Sequence, residues 1–152
     1  MPSTTQDSVS VMARIQVSLF EPGHIEQAQQ LWQTSPGVGL SDADREENLA
    51  RFLQRNPSTS FVALQQDSVV GTVLCGHDGR RGYVHHLAVA QPVRRQGIGT
   101  TLLDCALHAL YLDGIHKCHC FVFRDNPARD LFWNKGHWTH REDLVVYSSH
   151  TR

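Results

Sequence analysis

One segment constrains this chain more than any other. Residues 84–89 (Val-His-His-Leu-Ala-Val) read as an apolar strand. They pass through Gln91-Pro92 into the basic turn Arg94-Arg95-Gln96-Gly97-Ile98-Gly99-Thr100, and then into a helical pattern. Strand, glycine turn and helix N-terminus in immediate succession demand a sheet with a helix packed on it. The first turn of a helix leaves N–H groups unpaired and carries partial positive charge, so it attracts an anion. Gly97 and Gly99 present no Cβ to an approaching phosphate, and Arg94 and Arg95 add full charges. Together they suit a pyrophosphate. The alternative is a surface turn whose glycines only permit a bend, since a lone glycine-rich turn is a weak signal. The pattern is neither Gly-x-x-x-x-Gly-Lys-Ser/Thr nor Gly-x-Gly-x-x-Gly, which argues against nucleoside triphosphates and dinucleotides.

The rest of the chain supplies the partners of that unit. Residues 14–20 alternate, with Ile15, Val17 and Leu19 on one face of a first strand. Pro22 opens a helix with Ile25, Ala28, Leu31 and Trp32 in helical spacing, stopped by Ser35-Pro36-Gly37. Ser41 and Asp44 form a capping-box-like start to a second helix, which buries Leu49, Phe52 and Leu53 and ends at Asn56-Pro57. Strands over 60–64 and 69–75 flank the turn 65–68, a hairpin without the Asn-Gly or Asp-Gly pair. The turn 77–82 (His-Asp-Gly-Arg-Arg-Gly) leads into a strand over 83–89. After Gly97, Ile98, Leu102, Leu103, Ala106 and Leu110 define the clearest helix, with Gly114 as its stop. A strand over 116–123 follows. Asn126-Pro127 then supplies an N-cap and a first-position proline for a helix to about residue 135, and a strand over 143–148 closes the chain. The order β-α-α-β-β-β-α-β-α-β predicts an α/β (α+β) domain over residues 14–150, a central mixed, mostly antiparallel sheet flanked by helices. Trp32, Phe52 and Phe61 are expected in its core.

Composition narrows the partners. A formal charge of −1 excludes a globally basic nucleic-acid binder, and no apolar run approaches the roughly 20 residues of a membrane span. Residues 1–13 are polar and lack the basic start and apolar stretch of a secretory signal, so a disordered tail is expected. Cys75, Cys105, Cys118 and Cys120 are then reduced thiols of a cytoplasmic protein. His116, Cys118 and Cys120 alternate on one strand face but lack Cys-x-x-Cys spacing and a second pair, so buried thiols of a central strand, with no metal, are the expectation.

The run LAVAQPVRRQGIGTTLL resembles the acetyl-CoA motif of the GNAT superfamily of N-acetyltransferases, in which Arg/Gln-x-x-Gly-x-Gly/Ala follows a Leu-Ala-Val strand. Arg94, Gly97 and Gly99 match it. The element order is also the GNAT order, so the resemblance covers nearly the whole domain. Asn126, Ala128, Phe132 and Trp133 resemble the family's Asn-x-x-Ala…Phe-Tyr helix, and Gly71-Thr72 with the following turn resembles a small, uncharacterised bacterial, YpeA-like branch. The resemblance implies acetyl-CoA as co-substrate. It places the pantetheine arm on backbone groups of Leu87, Ala88 and Val89, as a strand added to an edge. It places the pyrophosphate on Arg94, Arg95, Gln96, Gly97, Ile98, Gly99 and Thr100, and it adds Asn126 and Trp133 as further cofactor contacts.

Acetyl transfer to an amine needs a base, a polarised carbonyl and a proton for the leaving thiolate. The arylalkylamine acetyltransferase branch carries histidines four and two residues before Leu-Ala-Val; here those positions are Tyr83 and His85. Strand parity puts Tyr83, His85 and Leu87 on one face and His86 on the other, unless a bulge intervenes. His85 is the candidate base, with a water as the alternative. Trp133 stands where the family's acidic tyrosine is expected, which leaves Tyr83, Tyr147 or a water as the acid. Two function classes remain open. One is an N-acetyltransferase acting on a primary amine of a small molecule or protein, with homodimer formation allowed for. The other is a non-catalytic acyl-CoA sensor on the same fold. Arg80-Arg81 and the loops at 36–40 and 77–82 carry no decisive acceptor signature.

Overall fold

The computed structural model describes residues 14–152; the tail expected at 1–13 lies outside them. The chain's contacts gather in two compact units that meet in sequence between Phe121 and Val122. The first unit runs β1 (Ile15–Leu19), a 3-10 turn (Pro22–His24), α1 (Ile25–Gln33), a second 3-10 turn (Asp42–Asp44), α2 (Glu46–Arg55), β2 (Phe61–Gln65), β3 (Ser68–His77), β4 (Gly82–Val89), a third 3-10 turn (Gln91–Val93), α3 (Ile98–Leu112) and β5 (Cys118–Cys120). Its strands lie in the order β1-β2-β3-β4-β5. Neighbours are antiparallel except β4 and β5, which are parallel because α3 crosses over between them. The expected mixed, mostly antiparallel sheet is therefore the one that forms.

Helices cover both faces. Val62, Leu74 and Ala88 pack with Ile25, Ala28, Trp32, Leu49 and Leu53 on the α1–α2 side. On the opposite side a Cβ at Gly71 would touch Leu102 and Ile98, and one at Gly82 would touch Leu110, so α3 lies close against two glycines of the sheet. All five residues in α3 register, Ile98, Leu102, Leu103, Ala106 and Leu110, are buried. Gly114 ends α3 in the left-handed region, and Ile115 N–H closes back on the Leu110 carbonyl at 2.9 Å, as in a Schellman stop. The β2–β3 hairpin turns through Gln66 (φ 50) and Asp67 (φ 64). That is a two-residue primed turn made without glycine. No helix among the described residues is long and apolar enough to cross a membrane.

Several expectations are corrected. Ser41 and Asp44 do form a capping box, but around the 3-10 turn; Arg45 is extended and α2 begins at Glu46. Trp32 is core at 1% exposure, whereas Phe52 and Phe61 are half-buried. The strand over 116–123 shrinks to Cys118–Cys120, at the edge of the sheet, so the cysteines there are half-buried rather than central.

In the second unit the helix expected up to residue 135 breaks in two. Asn126 Oδ1 accepts the Ala128 N–H at 2.9 Å, and Pro127 precedes α4 (Ala128–Leu131) instead of opening it. Phe132 leaves helical geometry at φ −130°, and a 3-10 turn follows at Trp133–Lys135. The closing strand over 143–148 does not form. Leu144, Val145, Val146 and Tyr147 are 56%, 76%, 68% and 92% exposed. With neither face buried, their alternation has no packing to select a strand.

Candidate active site

The turn before α3 has the geometry an anion requires. Gly97 is the N-cap of this 15-residue helix at φ 79, ψ 9, and a Cβ there would meet nothing within 4 Å. Arg95 also sits in the left-handed region, at φ 66. Helical bonding begins with Thr101 N–H on the Gly97 carbonyl at 3.0 Å. The N–H groups of Ile98, Gly99 and Thr100 come before that rung and have no acceptor within the helix. Arg94 donates its Nε–H to the Val89 carbonyl at 2.8 Å, which ties the turn back to the end of β4. Part of its role is thus to shape the loop that carries Arg95, Gln96 and Gly97.

The strand leading in offers an edge. β5 pairs with β4 only at Gly82, Tyr83 and Val84, so Leu87, Ala88 and Val89 lie beyond the end of that pairing. Ala90 N–H bonds the Val70 carbonyl on the β3 side at 2.8 Å. Its neighbour Val89 must therefore turn its own N–H and C=O toward the opposite edge, where Arg94 takes the carbonyl and the N–H remains for an added strand-like ligand.

β4 is not regular. Leu74 pairs with His85 and Thr72 with Ala88, so two β4 residues, His86 and Leu87, oppose the single Val73. His86 takes the extra place at φ 35, a conformation costing a non-glycine residue roughly 1–2 kcal/mol. It is held at both ends. Thr72 Oγ1 donates to the His86 carbonyl at 2.9 Å and itself receives Trp32 Nε1–H at 2.8 Å. The His86 ring meets Asp44 Oδ1 through Nε2 at 2.6 Å and lies 4.6 Å from the Trp32 ring.

The bulge overturns the parity expected of the two histidines. The His85 ring meets Phe52 of α2 edge-on at 6.0 Å, while His86 meets Trp32 and Asp44, so both face the α1–α2 side. Tyr83 shares that side, because its partner Gly76 would touch Phe52 and Asn56 there. The Tyr83 ring lies 6.0 Å from His119 and stacks 6.4 Å from Phe121. Burial lowers the His85 pKa below the ordinary imidazole value, the neighbouring His86 lowers it further, and Asp44 opposes both. The lowered pKa favours the neutral imidazole, the form that accepts a proton.

The remaining candidates have other surroundings. Asn126 spends its side-chain oxygen on capping α4. Trp133 makes edge contacts with Phe132 and Trp138, each at 5.1 Å. His116 stacks on Tyr111 at 5.5 Å. Cys118 shares a hydrogen bond with Cys75 that lowers its own pKa and raises that of Cys75, while burial pushes Cys120 up to about 12. Among the described residues no three His, Cys, Asp or Glu side chains gather as a metal site would need. Sequence reasoning missed Asp44, Thr72 and Trp32 as members of this site. Asp44 was legible only as a helix cap and Trp32 only as core.

A strand that runs into a glycine turn at the N-terminus of a long helix is an arrangement able to receive a pyrophosphate-bearing donor. The model of the acetyltransferase (GNAT) family matches residues 25–150, and the chain belongs to that family. It is an acetyl-CoA-dependent N-acetyltransferase, an enzyme rather than the acyl-CoA sensor. An acetyltransferase of Photorhabdus laumondii subsp. laumondii is 29% identical over 139 residues, covering 88% of this chain and 94% of that protein. AAC(6')-Iy, solved with the bisubstrate analog CoA-S-monomethyl-acetylneamine, superposes with a TM-score of 0.70 at 13% identity, over 91% of this chain and 99% of that one. The PaiA N-acetyltransferase of Thermoplasma acidophilum, solved with coenzyme A, gives a TM-score of 0.67 at 18% identity over 80% and 87% of the two chains. At these identities the two structures speak to the fold.

Proposed function

We propose that the enzyme acetylates a primary amine of a small molecule or a protein by direct attack on the acetyl thioester, with His85 as general base, either itself or through one water. The observation that carries this is the place of His85, half-buried against Phe52 on the bulged strand just past the end of the β5 pairing, with burial favouring its neutral form. In this reading the N–H groups at Arg95, Gln96, Gly97, Ile98, Gly99 and Thr100 hold the pyrophosphate, and Leu87, Ala88 and Val89 hold the pantetheine arm. The amine nitrogen bonds to the acetyl carbon, the C–S bond breaks, and His85 takes the N–H proton. The departing thiolate takes a proton from Tyr83, which shares the His85 face, or from water. The cysteines among the described residues are free thiols, which supports a cytoplasmic location; a homodimer is the assembly we propose.

Release of CoA thiol from acetyl-CoA tests the reading, with a polyamine, an arylalkylamine, an aminoglycoside and a peptide N-terminus as acceptors. His85→Ala should lower kcat by about 100-fold or more, the usual worth of a general base. Acetyl-CoA affinity by calorimetry should change little, because the donor is held mainly by backbone groups. Near-full turnover of His85→Ala would overturn the assignment.

A further inference from the structure

A bulge does more than bend β4. Because side chains alternate along a strand, the place of the one extra residue decides which side chains face α1 and α2 and which face α3. Here the extra place falls at His86, so His85 and Ala88, three apart in sequence, share the α1–α2 side. A φ of 35 is uncommon for a residue other than glycine, even though histidine reaches positive φ more often than most, so contacts outside the strand are needed to hold it. The carbonyl anchor through Thr72 fixes one side of the residue. The ring anchor comes from Asp44, which is itself immobilised twice. Its Oδ2 accepts the Ser41 N–H at 2.9 Å, and its carbonyl accepts Gln29 Nε2–H at 2.9 Å. A chain of contacts therefore runs from α1 and the 3-10 turn through Asp44 to His86, and so to the orientation of its neighbour.

We propose that Asp44, acting through His86, is a positioning residue that fixes the bulge and thereby turns His85 toward the reaction centre. The inference rests on the reading of His85 as base. The charged groups that influence His85 are His86 on its own strand and Asp44 on the 3-10 turn; Phe52 and Trp32, facing them from the helices, do not titrate.

The test uses the full chain and the Cε1–H resonance of His85, which needs no acceptor, beside CoA release with the best acceptor of the panel. Asp44→Ala should displace the His85 resonance and its titration and lower kcat about tenfold or more, as misplacement of a reacting group does. Asp44→Asn keeps an oxygen acceptor for the imidazole N–H and should recover part of that loss. His86→Gly adopts a positive φ without strain, so it should lose less activity than His86→Ala. Adding Asp44→Ala to His86→Gly should then cost nothing more. The proposal is overturned if Asp44→Ala leaves the His85 resonance and kcat unchanged, or if its loss persists undiminished in the His86→Gly background. Should Asp44→Ala fail to fold, equal losses in His86→Ala and His86→Gly overturn it instead. Turnover of His85→Ala decides the base reading separately, because the His85 resonance reports the clamp whether or not that imidazole takes the proton.

Discussion

Gly97 and Gly114 stand at opposite ends of α3 and share one backbone state, φ 79 and φ 82. At neither position would a Cβ meet an atom within 4 Å. Alanine at either site therefore causes no clash inside the protein, only the penalty of a left-handed L-residue, roughly 1–2 kcal/mol. The stiffer unfolded chain offsets about 0.4–1 kcal/mol of that. A net loss of about 1 kcal/mol lowers the Tm of a domain this size by about 3–5 °C. The two variants should match in scanning calorimetry. They should part in titration calorimetry with CoA, because the Gly97→Ala methyl projects into the open space that the proposed pyrophosphate site would use. A tenfold loss of affinity, about 1.4 kcal/mol, is the least expected there, while Gly114→Ala should bind as the wild type does. Equal CoA affinity in Gly97→Ala and wild type, with the Tm drop present, would refute the turn as the pyrophosphate site. Absence of the Tm drop in both would refute the left-handed geometry itself.

Leu102 is fully buried where α3 crosses Gly71, so Leu102→Ala should cost about 2–5 kcal/mol in urea unfolding; a loss under about 1 kcal/mol contradicts the packing. A Cβ at Gly82 would stand 2.6 Å from Leu110 Cδ1. Gly82→Ala should then destabilise by about 1–3 kcal/mol through overpacking, and the double variant with Leu110→Ala should lose less than the sum of the two. Simple additivity would exclude the contact. His85 supplies a stability prediction with a definite sign. Its folded pKa lies below the ordinary value, so the unfolded chain takes up the proton first as pH falls. The stability owed to the neutral ring is complete above about pH 6.5 and is lost as pH falls through the folded pKa. Measured against His85→Gln, the wild type should lose relative stability between pH 7.5 and 5, and a constant difference over that range would contradict the depressed pKa.

Where burial selects an element strongly, the sequence was enough. The α3 register and its Gly114 stop were readable because five apolar side chains repeat at helical spacing and one glycine follows them. The start of α3 at the glycine turn was readable too, because Gly97 takes the left-handed N-cap position that a strand, glycine turn and helix in succession call for. The C-terminal alternation at 144–147 misled, since a period of two predicts a strand only if one face finds cover. The β4 parity failed for a different reason. The extra residue at His86 is stabilised by Trp32, Thr72 and Asp44, and no local pattern announces contacts that reach from 14 to more than 40 positions away. Asp44 was visible only in its short-range role as a cap, and its longer reach to His86 depends on the tertiary fold.

The open side of β4 has a consequence for handling the protein. An unpaired strand edge is a template for any other strand, including one from a misfolding neighbour, and natural sheets blunt such edges. If the donor binds as proposed, this edge cannot be covered permanently without closing its site. The bulge at His86 relieves the conflict in part, because a kinked strand cannot offer a long flat edge to a second chain. A bound donor would complete the protection. On the proposed reading, the backbone groups that would hold coenzyme A are also the ones through which the empty enzyme would self-associate, so shelf life and solubility should follow the occupancy of that proposed site.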